Sequence, residues 1–465
     1  MRSAALGLGA LGLSHRVAHG MSRRRPNIIF LLTDDQRWDT MGCAGNRIIQ
    51  TPHMDALAGD GVRFTNAFVT TSICCSSRAS FFAGQYSRRH GINDFVTHFS
   101  EAAWQDTYPA RLRNAGYRLG FVGKYGVGRK PDFPTETFDF WRGIAGQPVY
   151  EQKDVDGNDK HLTQIMGEQS IEFLRGCSND EPFCLSVSFK APHVQDGDPR
   201  QFIYDPAYKD LYEHDRIPEP KTRSDAHFET LPAFLTDDAT TARVRWQIRF
   251  PNADKYQESV KGYYRLITGV DVVIGRVRAE LERLSLADNT VIVLMGDNCF
   301  FLAEHGFAGK WYGYEESIRV PLLVYDPRLP DSCRGQVRRE IALNVDVAPT
   351  ILSLAGVPVP AAMQGTDLTP LTRGRSRPWR SDFFYEHLFI NRSRQTGANL
   401  IPQSEGVVSL RYKYLRYLEQ DPAYEQLFDL EADPFEERNL AADEQYEDLL
   451  NTMRARWRQL RADHQ

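Results

Sequence analysis

The chain has 465 residues, 42% of them hydrophobic and 25% charged, and its 56 Lys plus Arg against 61 Asp plus Glu leave a formal net charge of -5. This is ordinary globular composition, long enough for a large core with a smaller companion, and it excludes a peptide-like or fibrous chain. The mild acidity argues against a dedicated nucleic-acid binder, which carries a basic excess, and no apolar run reaches the ~18 residues expected of a stable membrane span.

In chain order, residues 1–25 read as a signal peptide with a basic edge. Arg2 precedes the Ala-, Gly- and Leu-rich stretch Ser3 to Leu13, and small residues stand near Ala18-His19-Gly20. That layout predicts a periplasmic or secreted protein; the alternative is a cytoplasmic chain starting at Met21. Asn27 to Leu32 is then an unbroken apolar run, as expected for a strand covered on both faces, and it stops abruptly at Thr33-Asp34-Asp35. The design recurs at Leu119 to Val122 before Gly123-Lys124, at Phe183 to Phe189 before Lys190 and His193, and at Val291 to Met295 before Gly296-Asp297-Asn298. Helices separate these runs, most clearly Val260 to Leu284, whose apolar residues recur at three- and four-residue steps. The alternation predicts an α/β fold over residues 26–371, with a large, mainly parallel sheet flanked by helices.

Gln195 to Asn252 is rich in Pro, Asp and Arg without clear periodicity and reads as long surface loops, the kind that carry substrate contacts. A basic, breaker-rich linker, Thr372 to Pro378, leads to a smaller C-terminal α+β domain over residues 379–465. Strands are expected there at Phe383-Phe384-Tyr385 and Tyr412 to Leu418, with a closing charged helix from Glu444 to Ala462. Seven cysteines, sparse and uneven, give neither a disulfide scaffold nor zinc spacing.

Polar residues follow the carboxyl ends of the apolar runs, where α/β sheets bind ligands. Asp34, Asp35, Asp297 and Asn298 are hard oxygen ligands at two such ends, suited to Ca2+ or Mg2+; as caps or turn residues they need no metal. Arg78 lies four residues after Cys74, so a helix starting there carries both on one face and offers unpaired N–H groups to an anion. Lys124, Lys310 and His193 fall on the same predicted edge and are expected to line one anionic pocket with Arg78.

The segment Ser72 to Gly84 resembles the sulfatase signature, in which Cys-x-Pro-x-Arg is followed, after two residues, by an apolar pair, a small residue and Gly. Cys74, Arg78, Phe81, Phe82, Ala83 and Gly84 match it. Thr51-Pro52-His53-Met54-Asp55, Ala191-Pro192-His193, Glu304-His305-Gly306 with Lys310, and Phe428-Asp429-Leu430 look like the same family. The resemblance implies an alkaline-phosphatase-like fold and a sulfuric ester hydrolase. It also implies that a formylglycine-generating enzyme oxidises Cys74, not Cys75, to formylglycine. A cation, Ca2+ or Mg2+, is then implied at Asp34, Asp35, Asp297 and Asn298, in contact with the modified Cys74. The hydrated aldehyde supplies one hydroxyl to attack sulfur and another to expel sulfate, while Arg78, Lys124 and Lys310 offset charge. His193 or Lys310 protonates the departing alcohol. The expected substrate is a sulfated small molecule or polysaccharide, with a sulfated carbohydrate preferred over an aryl sulfate.

Three positions depart from the family pattern. Ser76 stands in place of Pro and lacks its preset backbone; Gly126 stands where His is common, leaving a space for water, substrate or another loop's side chain. Cys299 replaces Gly and reads as a packed thiol or as a partner for Cys75. Two alternatives stay open: a phosphomonoester or phosphodiester hydrolase of the same superfamily, and a noncatalytic carbohydrate-binding relative in which Cys74 stays a thiol. His387 reads as a core histidine or one that reaches substrate, and Asn391-Arg392-Ser393 fits a glycosylation acceptor.

Overall fold

The structure, a computed structural model, describes residues 24–375 and 377–464. The segment read as a signal peptide lies outside them except for Arg24 and Arg25. In chain order the strands of the larger sheet are β1 (Asn27–Asp34), β2 (Val62–Phe64), β3 (Arg118–Lys124), β4 (Phe140–Ile144), β5 (Phe183–Pro192), β6 (Thr290–Gly296), β7 (Leu322–Tyr325) and β8 (Gln336–Arg338). They are ordered β8-β2-β7-β6-β1-β5-β3-β4 across the sheet. β1 runs parallel to β5 and β6, and β3 parallel to β4 and β5, whereas β7 enters antiparallel to β6. The longer helices are α1 (Pro52–Asp60), α2 (Cys74–Ala83), α3 (Leu162–Arg175), α4 (Thr241–Arg249), α5 (Ala253–Arg283), α6 (Val347–Ala355) and α7 (Glu447–Asp463).

The unbroken apolar run of β1 serves two cores. Ile28, Phe30 and Leu32 pack with Ala79 and Phe82 of α2 and Ile351 of α6, while Ile29 and Leu31 pack with Met166 of α3 and Ile267 of α5. Side chains alternate across a strand, so a strand covered by helices on both sides has no polar phase. Each such buried aliphatic or aromatic chain contributes about 1.5–3 kcal/mol. Because the central strands are parallel, their carboxyl ends, and the polar residues that follow them, lie at one edge.

α5 begins before the expected Val260. Asn252 caps it by accepting from the Lys255 N–H at 2.9 Å, and the polar first turns extend the helix outward from its apolar stripe. The reading of 195–252 as loops is corrected at α4, where Ala242, Trp246 and Arg249 are buried at helical spacing behind a Thr240 cap. A buried Arg in that stripe, with Arg243 and Arg245 beside it, hid the amphipathic pattern.

The smaller C-terminal sheet consists of β9 (Asp382–His387), β10 (Ser404–Ser409), β11 (Tyr412–Tyr417) and β12 (Tyr424–Asp429), antiparallel in that order. β10 and β12 were not expected. α7 closes it: the Trp457 indole donates to Glu405 at 3.0 Å and Arg456 pairs with Asp382 at 2.8 Å. All seven cysteines are free thiols, so Cys299 is a packed thiol and no bond joins it to Cys75. His387 lies fully inside the core, with no hydrogen-bond partner for either ring nitrogen among the described residues.

Candidate active site

Four strand ends build the site. β1 delivers Asp34 and Asp35, β3 ends on Lys124, β5 runs directly into His193, and β6 into Asp297 and Asn298. Asp35 takes a left-handed backbone, φ 70, sparsely used by residues with a side chain though tolerated by Asp. Two contacts hold it there: the Tyr263 hydroxyl donates to its carbonyl at 2.6 Å, and its own N–H donates to Asp297 Oδ1 at 3.1 Å.

α2 enters this edge N-terminus first, with Cys74 as its opening residue and all ten of its residues buried. Arg78, one turn later, places Nε 2.9 Å from Asp297 Oδ2, Nη2 3.3 Å from Asp34 Oδ2, and Nη1 2.8 Å from the Lys124 carbonyl. Cys74 Sγ lies 3.3 Å from Asp34 Oδ1 and 3.1 Å from Lys310 Nζ. Lys124 Nζ is 2.5 Å from Asp34 Oδ2, and Lys310 also pairs with Asp35. Ligand atoms of Asp34, Asp35, Cys74 and His193 all lie within 4.8 Å of one another. Asp297 adjoins them through the Asp35 amide, and Asn298 through its side-chain contact with Asp35.

Burial dominates the electrostatics. It pushes Asp35 up to about 7, with Lys310 opposing and Asp34 and Asp297 adding to the rise. Burial also opposes ionisation of Asp34, but Lys124, His193, Arg78 and Lys310 together outweigh it and hold that carboxyl well below its usual range. The Cys74 thiol is raised by burial and then by Asp34, which leaves it protonated. Asp35 Oδ2 and Asn298 Oδ1 are buried without a hydrogen-bond partner among the described residues. Two orphaned oxygens beside two further carboxylates fit a hard divalent cation, which would satisfy both oxygens and discharge the cluster.

His193 is buried, with Nδ1 2.7 Å from the Val194 carbonyl and Nε2 3.6 Å from Asp35 Oδ2. Burial, then Lys310, holds its pKa well below the ordinary histidine value. Cys74, His193 and Lys310 share a hollow of about 230 Å3 with Trp311, Arg245 and Asn391. Arg78 and Lys124, expected in the same pocket, do not line this hollow: Arg78 pairs with Asp34 and Asp297, and Lys124 with Asp34.

A family model described as Sulfatase matches residues 26–357, and one described as N-sulphoglucosamine sulphohydrolase, C-terminal, matches residues 303–463. The chain belongs to the sulfatase family. An N-acetylglucosamine-6-O-sulfatase of Bacteroides thetaiotaomicron is 28% identical to this sulfatase over 489 residues, covering 91% of this chain and 84% of that protein. The solved structure of BT4656 in complex with its substrate D-glucosamine-2-N,6-O-disulfate superposes with a TM-score of 0.78 at 26% identity, over 95% of this chain and 98% of that one. A phosphonate monoester hydrolase of Agrobacterium radiobacter superposes at 0.79 with 21% identity, over 95% and 96%, a likeness of fold alone.

In this sulfatase the space at Gly126 is taken by Arg78. Gly126 has φ 75, and a Cβ there would lie 2.5 Å from Arg78 Cδ, so no larger residue fits while Arg78 keeps its bonds. Sequence reasoning missed Gln147, whose amide lies 3.3 Å from His193 Nε2, and Arg245, which stacks over Trp311 at 4.9 Å. Asn391, read as a glycosylation acceptor, lines the hollow and donates to the Thr241 hydroxyl at 3.1 Å. Gln147 and Asn391 lie outside the helices and strands and Arg245 on the unrecognised α4; no motif marks Gln147 or Arg245, and the one that marks Asn391 points to a different role.

Proposed function

We propose that this sulfatase hydrolyses sulfate esters of a sulfated carbohydrate, an amino sugar by preference, at the hollow over Cys74. In this reading Cys74 is oxidised to formylglycine by a maturation enzyme, and Ca2+ or Mg2+ is held by Asp34, Asp35, Asp297 and Asn298 beside the modified Cys74. The observation that carries it is the convergence on buried Asp34 of Cys74 Sγ and the buried cations Arg78, Lys124 and Lys310, with Lys310 also in contact with Cys74 Sγ. The amino-sugar preference is drawn from the relatives named for N-acetylglucosamine 6-sulfate and from the glucosamine disulfate complex. A periplasmic or secreted location goes with such a substrate.

The cation supplies charge that activates the nucleophile and polarises sulfate oxygens, and formylglycine supplies the hydroxyl nucleophile. A buried, protonated thiol is a poor substitute for that hydroxyl. Arg78 fixes the Asp34 and Asp297 carboxylates so that they need not reorganise during reaction. Lys310, 3.1 Å from the Cys74 side chain, brings positive charge to the side chain of residue 74 itself. The Val194 carbonyl keeps the His193 proton on Nδ1, so Nε2 faces the hollow as an acceptor.

The test is mass analysis of the Cys74 peptide from the native source, followed by product release from a 6-sulfated N-acetylhexosamine, an aryl sulfate and a phosphomonoester. The expected result is the aldehyde mass at residue 74 and sulfate release that stops on chelation and returns with Ca2+ or Mg2+. Unmodified Cys74 without sulfate release would sink the proposal in favour of the noncatalytic reading. Phosphate release in preference to sulfate would favour the phosphoester alternative.

A further inference from the structure

The hollow over Cys74, about 230 Å3, is smaller than the roughly 300–1,000 Å3 of ordinary small-molecule sites. It does not stand alone. Gln147 and Phe95 form one of its walls and also wall a second cavity of about 410 Å3, and the two together reach the ordinary range. Lys124, Arg129 and Lys130 line this second cavity, and no carboxylate does. Lys124 is committed to Asp34. Arg129 and Lys130 are exposed and form no ion pair among the described residues. Asp94 senses the Arg129 charge, but its carboxylate already accepts from the Val96 and Thr97 amides and the Thr97 hydroxyl. Gly146 adds a bare backbone wall, where a Cβ would meet nothing within 4 Å.

We propose that this second cavity is an anion subsite, in which Arg129 and Lys130 hold a further sulfate or carboxylate of the saccharide whose sulfate ester lies over Cys74. The inference rests on the function proposed above and narrows its substrate to a multiply anionic saccharide. An arginine fork meets either oxyanion with paired N–H donors, and a neighbouring ammonium adds a point charge. Gln147 links the two cavities, because it lines both and its amide lies 3.3 Å from His193 Nε2.

The test uses the matured holoenzyme with Arg129→Ala, Lys130→Ala and the double variant. Three substrates separate the sources of charge: a monosulfated N-acetylhexosamine, the same sugar with a second sulfate, and a monosulfated disaccharide bearing a uronate. The double variant is expected to lose about tenfold or more in kcat/KM on a doubly anionic substrate, mainly through KM, and less than about twofold on the monosulfated sugar. Loss on the disulfated sugar alone assigns the subsite to sulfate, loss on the uronate alone to carboxylate, and loss on both to either anion. The wild-type preference should also shrink as salt rises. Equal losses on all three substrates, or none on any, overturn the subsite while leaving the hydrolase reading intact. Failure of the wild type to release sulfate from every substrate removes both.

Discussion

His193 can give its only ring proton to the Val194 carbonyl because Nδ1 sits 2.7 Å from that oxygen, which leaves a bare lone pair on the catalytic side. Lys310, by contrast, arrives in the hollow protonated: burial opposes its charge, but Asp35 and the neighbouring acids outweigh it. Of the two proton donors the sequence left open, the geometry therefore favours Lys310. Lys310→Ala should cut turnover of an alkyl sulfate about tenfold more than that of an aryl sulfate with a good leaving group, whereas His193→Ala should lower both by similar factors. Steady-state kinetics on a matched pair decides, and the reverse pattern returns the role to His193. At this scale the acids were legible because each pair stands directly after an apolar run, and Cys74 and Arg78 because their segment resembles the sulfatase signature. The Arg78 stem against Gly126 was not, since it depends on an approach between segments 48 residues apart.

Helix α1 shows how one element completes another. Thr51 at its N-terminus gives no side-chain cap; instead Asp271 of α5 accepts from the Met54 N–H at 2.7 Å and the His53 N–H at 3.2 Å. Negative charge suits a helix N-terminus, yet burial pushes Asp271 up to about 7 against those hydrogen bonds. Its folded pKa thus exceeds the unfolded value of about 3.9, so the folded state binds more protons between the two. The stability from this group is complete below pH ~4 and is lost as pH rises through 7. Asp271→Asn should remove that slope, so the stability gap between wild type and variant should shift against wild type by about 1–3 kcal/mol from pH 5 to pH 8 in denaturant titrations. α5 itself was legible from its long stripe. α4 was not, because tertiary contacts bury an arginine where periodicity reading looks for an apolar residue.

The whole molecule is tied together across its two largest sheets. Lys413 of β11 is fully buried and pairs with Glu315 at 3.0 Å and Glu436 at 2.9 Å, while Arg88, just beyond α2, grips Glu386 of β9 and Glu405 of β10 at 2.7 Å. The rings of Phe68 and Phe383 stand 5.1 Å apart, joining the two layers in one core. Removing one member of a buried ionic set strands the others, so Lys413→Met should cost about 3–5 kcal/mol, with Glu436→Gln recovering part of it. Thermal unfolding of both variants checks this; a neutral Lys413→Met would mean the set contributes nothing. The basic, breaker-rich stretch at 372–378 marked in the sequence the passage to the smaller C-terminal sheet, whose first strand starts at Asp382. The shared core was not legible, because aromatic residues in short strands carry no mark of which sheet they will face.

Lys310 has a consequence in time rather than space. Its ammonium touches Cys74 Sγ at 3.1 Å, yet it follows Cys74 by 236 positions in the chain. At about 5–20 residues per second, a ribosome needs roughly 10–50 s to travel that distance. For that interval the thiol exists without its cationic neighbour, and without the strand, β6, that brings Asp297 to Arg78. A cysteine buried in the finished protein thus lacks part of its enclosing site during part of its synthesis, for an interval set by the pace of translation.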